Sequence, residues 1–294
     1  MRYPLTFGLL VGLACLVAFG GHRKIEYIEA EETASEEPPS PWTPRLSSNC
    51  TAWYDPSDDA TITESSGDIS AVADKCDDAG KSHTAFNLTA GGTPFHDAAN
   101  DEIDIASGEY LTVTPTHSST NHVLACGVFN ISSPMSNNWG VIWGPASTTD
   151  PRNAGKFGPL LAWSSLTTIR NIEGYSPYAT TGASAALGSL KVICSANDGG
   201  NGEIWIDGAL TGESGTIGSD SNIAISFGHA GISTLWNIAF SFGNIAYFVG
   251  YDFSDDERQC VEGFLAHSAG LEGNLAMGHP YIASEPTTAS TCIP

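Results

Sequence analysis

From Asn49 onward the chain alternates short apolar runs with clusters of Gly, Asn, Asp and Ser. The runs TAWYD, NHVLACGVFNI, WGVIWG, LKVICSA, EIWIDGAL, NIAISFG and NIAYFVGYDF all have strand length, and several alternate apolar with polar positions. Between LKVICSA and EIWIDGAL lies Asn197-Asp198-Gly199-Gly200-Asn201-Gly202, whose residue types suit a tight hairpin. One segment breaks the period of two. Ser254-Asp255-Asp256-Glu257 has the form of a capping box, and Val261, Phe264 and Leu265 then mark a helical stripe. Asp255 and Asp256 complement the helix dipole, and Gly270 is a natural C-terminal stop. Many strands followed by one late helix predict an all-β sandwich or jelly roll.

The N-terminal pattern is different. Pro4 to Gly21 carry no charge, Arg2 precedes them, and His22-Arg23-Lys24 follow. Residues 1–21 therefore read as a signal peptide with a small-residue cleavage site at Ala18-Phe19-Gly20, or as a short membrane anchor. The basic cluster just after the segment favours the anchor, and lipid attachment through Cys15 is a third reading. Residues 22–48, rich in Glu and Pro, read as an acidic, extended linker. The expected order is thus leader or anchor, linker, a sandwich over 49–285, and a tail over 286–294.

Charge narrows the function classes. Asp and Glu number 33 against 11 Lys and Arg, a net charge of −22, which repels phosphate backbones and argues against nucleic acid. Such a surface attracts divalent cations or basic partners, or simply keeps the protein soluble. Beyond Cys15 there are six cysteines with no C-x-x-C pair, so zinc-ribbon and thioredoxin-like readings lack support. Cys50, Cys76, Cys260 and Cys292 are the disulfide candidates, with no pairing assignable. Six cysteines permit up to three disulfides in fifteen connectivities, and Cys126 and Cys194, in apolar strand patterns, read alternatively as free buried thiols.

The stretch GNIAYFVGYDFSDDERQCVEGFLAHSAGLEGNLAMGHPY (243–281) resembles the end of laminin-G-like domains of the concanavalin A-like lectin/glucanase superfamily. Those domains close with a strand, a Ser-Asp-x-Glu-Arg turn, a short helix and a Gly-His-Pro-Tyr segment. TAWYDPSDDATIT with ISAVADK resembles their opening strand and its Trp-Ala-Asp-Lys partner, with Val72 where Trp is usual. GEYLTV resembles the next core strand, and LKVICSANDGGNGEIWIDGAL the central hairpin. The resemblance spans roughly 51–284 and implies a concanavalin A-like antiparallel β-sandwich, a jelly roll with one short C-terminal helix.

The superfamily includes glucanases with Glu-x-Asp-x-Glu on one strand. Here Glu102-Ile103-Asp104-Ile105 is followed by Ala106 and Ser107, so the second glutamate is missing and no catalytic residue is expected. The family resemblance also implies a possible calcium ion at the sandwich rim, for which Asp55, Asp58 and Asp59, or Asp198 and Asp207, offer hard oxygen ligands. Ordinary turn formation explains the same aspartates. His279, within Gly-His-Pro-Tyr, is expected to be structural. Glycan contacts are expected from exposed aromatics, with Trp139, Trp143, Tyr175 and Tyr178 as candidates, although Trp143 also fits the core. The expected function is a non-catalytic recognition module, secreted or at the cell surface, with a glycan or protein partner. A structural or adhesive role in a virion or extracellular assembly is the alternative, with homo-oligomers as one form of it. Glycoside hydrolysis ranks third.

Overall fold

The structure is a computed structural model that describes residues 39–76, 87–113, 122–131, 139–145, 161–164, 168–171, 179–184, 188–198, 201–214, 225–228 and 239–294. The leader segment 1–21 and most of the linker lie outside the described residues. No helix among the described residues is long and apolar enough to cross a membrane.

The described strands pair antiparallel and form a β-sandwich. The first sheet is built on β17 (Phe240–Val249) and β8 (His122–Asn130). It continues through β13 (Lys191–Asp198), β14 (Asn201–Ile206) and β15 (Ala209–Ser214). The other edge of β17 is shared by β1 (Cys50–Tyr54) and β6 (Glu102–Ile105). The second sheet runs through β2 (Ile62–Ser65), β3 (Asp68–Val72), β4 (Leu88–Gly91), β7 (Tyr110–Val113) and β16 (Ile225–Gly228). It continues into β9 (Trp139–Pro145), β10 (Leu161–Ser164), β11 (Thr168–Asn171) and β12 (Ala179–Ser184). A short strand, β5 (Phe95–Asp97), pairs with both β3 and β6 and joins the two sheets at one edge.

Two cores result. Tyr54, Leu88, Leu111, Phe129, Ile193, Phe227 and Phe242 belong to the core between the sheets. Leu124, Cys126, Val192, Cys194, Trp205 and Phe248 face the other way, onto the helix α1 (Asp255–Ser268), through Val261 and Leu265. The central strands are therefore apolar on both faces, which is why HVLACGVF and LKVICSA do not alternate. Each large apolar side chain buried in this way contributes on the order of 1.5–3 kcal/mol.

The helix begins as the sequence predicts. The Ser254 hydroxyl accepts from the Glu257 N–H while the Ser254 N–H donates to the Glu257 carboxylate, and Gly270 (φ 66°) ends the helix region. One helical face carries a buried ionic group. The Arg258 guanidinium lies 4.3 Å from the Trp205 ring and donates to Glu262 Oε2 at 2.5 Å. His279 Nδ1 accepts from the Tyr281 N–H, which leaves Nε2 to donate to Glu262 at 3.3 Å. The structural role expected for His279 is observed. Tyr281 in turn sits where a side chain on Gly263 would stand, 2.6 Å from its Cβ position, so the helix needs glycine there.

The six described cysteines form three disulfides. Cys50–Cys76 and Cys260–Cys292 use the candidates read from the sequence. Cys126 and Cys194 are also joined, and the free-thiol expectation is corrected: they lie directly opposite on β8 and β13 with Cα atoms 4.1 Å apart. Apolar surroundings identified both as buried but carried no information on the register that makes them neighbours. Three disulfides are the mark of a chain folded in an oxidising compartment.

The folded body also extends past the boundaries 49 and 285. Trp42 is buried, packs edge-on against Phe264 at 5.9 Å, and donates its backbone N–H to Pro286 O. Within 286–294, Ile293 is buried, Cys292 is disulfide-bonded, and Pro294 O accepts from Ser47, Ser48 and Asn49. The end of the linker and the tail thus fold onto the helix.

Two outcomes follow from this packing. Glu262→Ala, which removes the buried counter-charge and leaves the guanidinium only the exposed Asp255 at 3.1 Å, is expected to cost about 3 kcal/mol in denaturant unfolding, whereas the double change Arg258→Met, Glu262→Leu costs much less. Alkylation of the unreduced, unfolded chain should label none of the six body cysteines, and intact mass reads this directly.

Candidate functional site

The pairing of the two central strands, β17 and β8, is broken by a bulge. Between Phe242 and Ile245 the register of β17 against β8 shifts, leaving Gly243 and Asn244 looped out. At the same point the outer edge of β17 changes partner. Before the bulge it pairs with β6 (Phe242 opposite Ile103), and after it with β1 (Ile245 opposite Tyr54). Two strands meeting end to end on one edge cannot close the gap between them. A cleft of about 130 Å³ opens there.

Its lining mixes polar and apolar groups. Val128 and Leu190 contribute apolar surface, and Asn100, Glu102, Asn244 and Ser268 bring hydrogen-bonding side chains. Most of these are held in place. Asn244 Oδ1 accepts from the Trp53 indole N–H at 3.0 Å, and its amide nitrogen reaches Ser268 Oγ at 3.5 Å. Glu102 accepts from the Ser241 hydroxyl. Because Ile103 and Ile105 point into the core, Glu102 and Asp104 share the outward face of β6. Desolvation, and then the charge of Asp97, raise the Asp104 carboxyl above its ordinary pKa. Chemically the cleft offers fixed acceptors and amide donors beside an apolar surface.

The expected site residues fall elsewhere. Trp143 is 1% exposed, tilted against Phe129 at 5.0 Å, and is a core residue rather than a surface platform. Trp139 lies on β9, but its side chain, like Tyr175 and Tyr178, lies outside the described residues. Among the aspartates, Asp55 and Asp58 do converge, at 2.7 and 2.9 Å from the ammonium of Lys75, which stands over the Trp53 ring. A protein cation therefore occupies the position between them. Asp59 points away, 3.9 Å from His96 Nε2. Asp198 and Asp207 lie at opposite ends of the β13–β14 hairpin and do not meet. Asp207 (φ 50°) and Gly208 (φ 78°) form the turn into β15, and Asp207 pairs with Lys191 at 2.6 Å while accepting from the Val192 N–H. The bulge cleft was not read from the sequence. Gly243-Asn244 inside an apolar strand was its one local sign.

Comparison with known proteins adds the fold. No protein-family model matches the chain, and no curated protein does either. Among solved structures, the Trypanosoma rangeli sialidase in complex with sialic acid is similar at 12% identity and a TM-score of 0.50, over 78% of this chain and 36% of that one. The same sialidase in complex with 2,3-difluoro-KDN gives 12% identity and a TM-score of 0.51, again over 78% and 36%. The receptor binding domain of botulinum neurotoxin D shows 12% identity and a TM-score of 0.47 over 75% of this chain and 53% of that one. The chain thus spans about a third of the sialidase's length. At such identity the likeness is one of fold alone, an antiparallel sandwich of the lectin-like, jelly-roll kind.

The Asp58–Lys75 contact has a pH signature. The hydrogen bond from Lys75 holds Asp58 below its ordinary 3.8, against the smaller opposing effect of desolvation. For Lys75, desolvation pulls downward but the hydrogen bonds and charges of Asp55 and Asp58 outweigh it and raise the pKa. A carboxylate depressed on folding stabilises above its unfolded pKa, and that stability is lost as pH falls through the folded value. Thermal unfolding should therefore show wild type losing its advantage over Asp58→Asn as pH drops below 3.8, with no change in their difference near neutrality.

Proposed function

We propose that this chain is a non-catalytic recognition module of the laminin-G-like, concanavalin A-like kind, secreted or displayed at a surface, which binds neutral glycans in the cleft at the β17 bulge. The observation that carries the reading is the cleft itself. Carboxylate and amide oxygens accept from sugar hydroxyls, the Asn100 and Asn244 amides donate to them, and Val128 and Leu190 provide a surface for C–H groups. The presence of Asp101 and Glu102 in the lining, within a chain of net charge −22, disfavours an anionic sugar.

The absence of catalysis is part of the same proposal. Retaining hydrolysis uses two carboxyl groups about 5 Å apart, one protonated and one ionised, flanking the scissile bond. Glu102 is instead engaged by Ser241, and Ala106, just past the end of β6, stands where a glucanase-type strand places its second glutamate.

The test is retention of the folded, disulfide-bonded chain on a glycan array. Binding to neutral glycans that weakens about tenfold or more in Glu102→Ala and in Ser268→Ala is expected, since each change removes a hydrogen bond to a bound hydroxyl. Stable oligomers with no glycan retention would favour the structural or adhesive role in an assembly. Sugar release that disappears in Glu102→Gln would overturn the non-catalytic reading.

A further inference from the structure

At the other end of β8 and β17 from the cleft, three neighbouring strand ends bring together metal-ligating groups. His122 is the first residue of β8, Asp198 is the last of β13, and Asp252 follows β17 by three residues. The backbone fixes all three. His122 and Asp198 are register partners, Val123 is opposite Val249, and the Gly250 N–H donates to His122 O at 2.8 Å.

The side-chain geometry is informative. His122 Nδ1 lies 3.3 Å from Asp198 Oδ1 and 3.6 Å from Asp252 Oδ1, and the three atoms lie within 4.8 Å of one another. An N–H···O hydrogen bond prefers about 2.7–3.2 Å, and one N–H has a single proton to place between two carboxylates. Two donors held tetrahedrally at about 2.1 Å from a shared ion stand about 3.4 Å apart, between the two separations observed. The donor set is also mixed. Calcium takes oxygen ligands, whereas an imidazole nitrogen with two carboxylates suits a first-row divalent ion such as zinc.

The surroundings agree. The side chains of His122, Asp198 and Asp252 are 28%, 41% and 79% exposed, while the His122 Nδ1 atom itself is buried. Elsewhere the chain supplies its own cation to paired aspartates, as Lys75 does for Asp55 and Asp58. Here the group facing them is an imidazole, which can bind a metal ion.

We propose that His122, Asp198 and Asp252 form a binding site for a divalent transition-metal ion, zinc in the first instance, on the rim of the central sheet. The ion's remaining positions face solvent and are open to water or to a ligand. The site is separate from the glycan cleft, and neither proposal depends on the other.

The experiment uses the whole disulfide-bonded chain, stripped with chelator and equilibrated with zinc chloride alone, followed by metal analysis and titration calorimetry. One zinc per chain is expected near pH 7.5, about tenfold or more weaker in His122→Ala and in Asp252→Asn, and unchanged in Asp58→Asn. Asp252 is largely exposed, so its substitution reports binding without threatening the fold. Calcium chloride should bind at least about tenfold more weakly. No stoichiometric uptake would identify the cluster as a histidine–carboxylate ion pair and overturn the proposal. Uptake that survives both substitutions, or equal affinity for calcium, would overturn it as well.

Discussion

The buried guanidinium of Arg258 is the constraint on which the rest of the fold hangs. It sits in an apolar layer, 4% exposed on its side chain, where an unpaired charge would cost several kcal/mol. Glu262 one turn along supplies the counter-charge, Trp205 of β14 supplies an aromatic face, and His279 of the C-terminal segment completes the carboxylate's contacts. Each partner comes from a different element. Helix, central sheet and C-terminal segment are therefore fixed relative to one another by one charge that cannot be moved to solvent without moving all three. The Cys260–Cys292 bond and the Trp42–Phe264 contact extend this attachment to the chain on either side of the sandwich.

Covering the outer face of the sheet has a consequence for function. Where α1 lies over β8, β13 and β17, no backbone or side chain is available to a ligand. Accessible chemistry is displaced to two places on the same strands. One is the bulge, where β17 changes partner from β6 to β1, and the other is the rim, where β8, β13 and β17 end. The bulge offers amides and a carboxylate beside apolar surface, which suits hydroxylated ligands. The rim offers nitrogen and oxygen donors at metal-like spacing.

Local features were legible in the sequence, and features set by pairing were not. The Ser254 cap, the Asp207-Gly208 turn and the Gly-His-Pro-Tyr segment each depend on residues within a few positions, and each appears as read. The Cys126–Cys194 bond depends on the register of two strands far apart in sequence, and strands buried on both faces give no alternation from which to read that register. Trp143 illustrates the same limit. Its apolar run identified a strand, but only the sheet partners decide whether a side chain faces the core or solvent. The cleft was invisible for a stronger reason, since it belongs to the junction of three strands and to no single segment. At the linker, Glu and Pro described an extended chain correctly as composition, yet Trp42 at its end is buried against the helix.

The charge imbalance takes on a different meaning once the aspartates are placed. With 33 acidic and 11 basic residues, internal pairing can satisfy only a minority of the carboxylates. The two described lysines stand where turns must be rigid. Lys75 locks Asp55 and Asp58 beside Trp53, and Lys191 locks Asp207 beneath the turn into β15. Those aspartates are structural, and their oxygen atoms are already committed. Asp198 and Asp252 share a histidine instead, and a neutral imidazole leaves two negative charges facing one nitrogen. Two carboxylates facing one nitrogen repel each other, and a cation between them relieves that repulsion. The distinction between these aspartates therefore rests on which base each one faces, a lysine that ends its chemistry or a histidine that leaves it open.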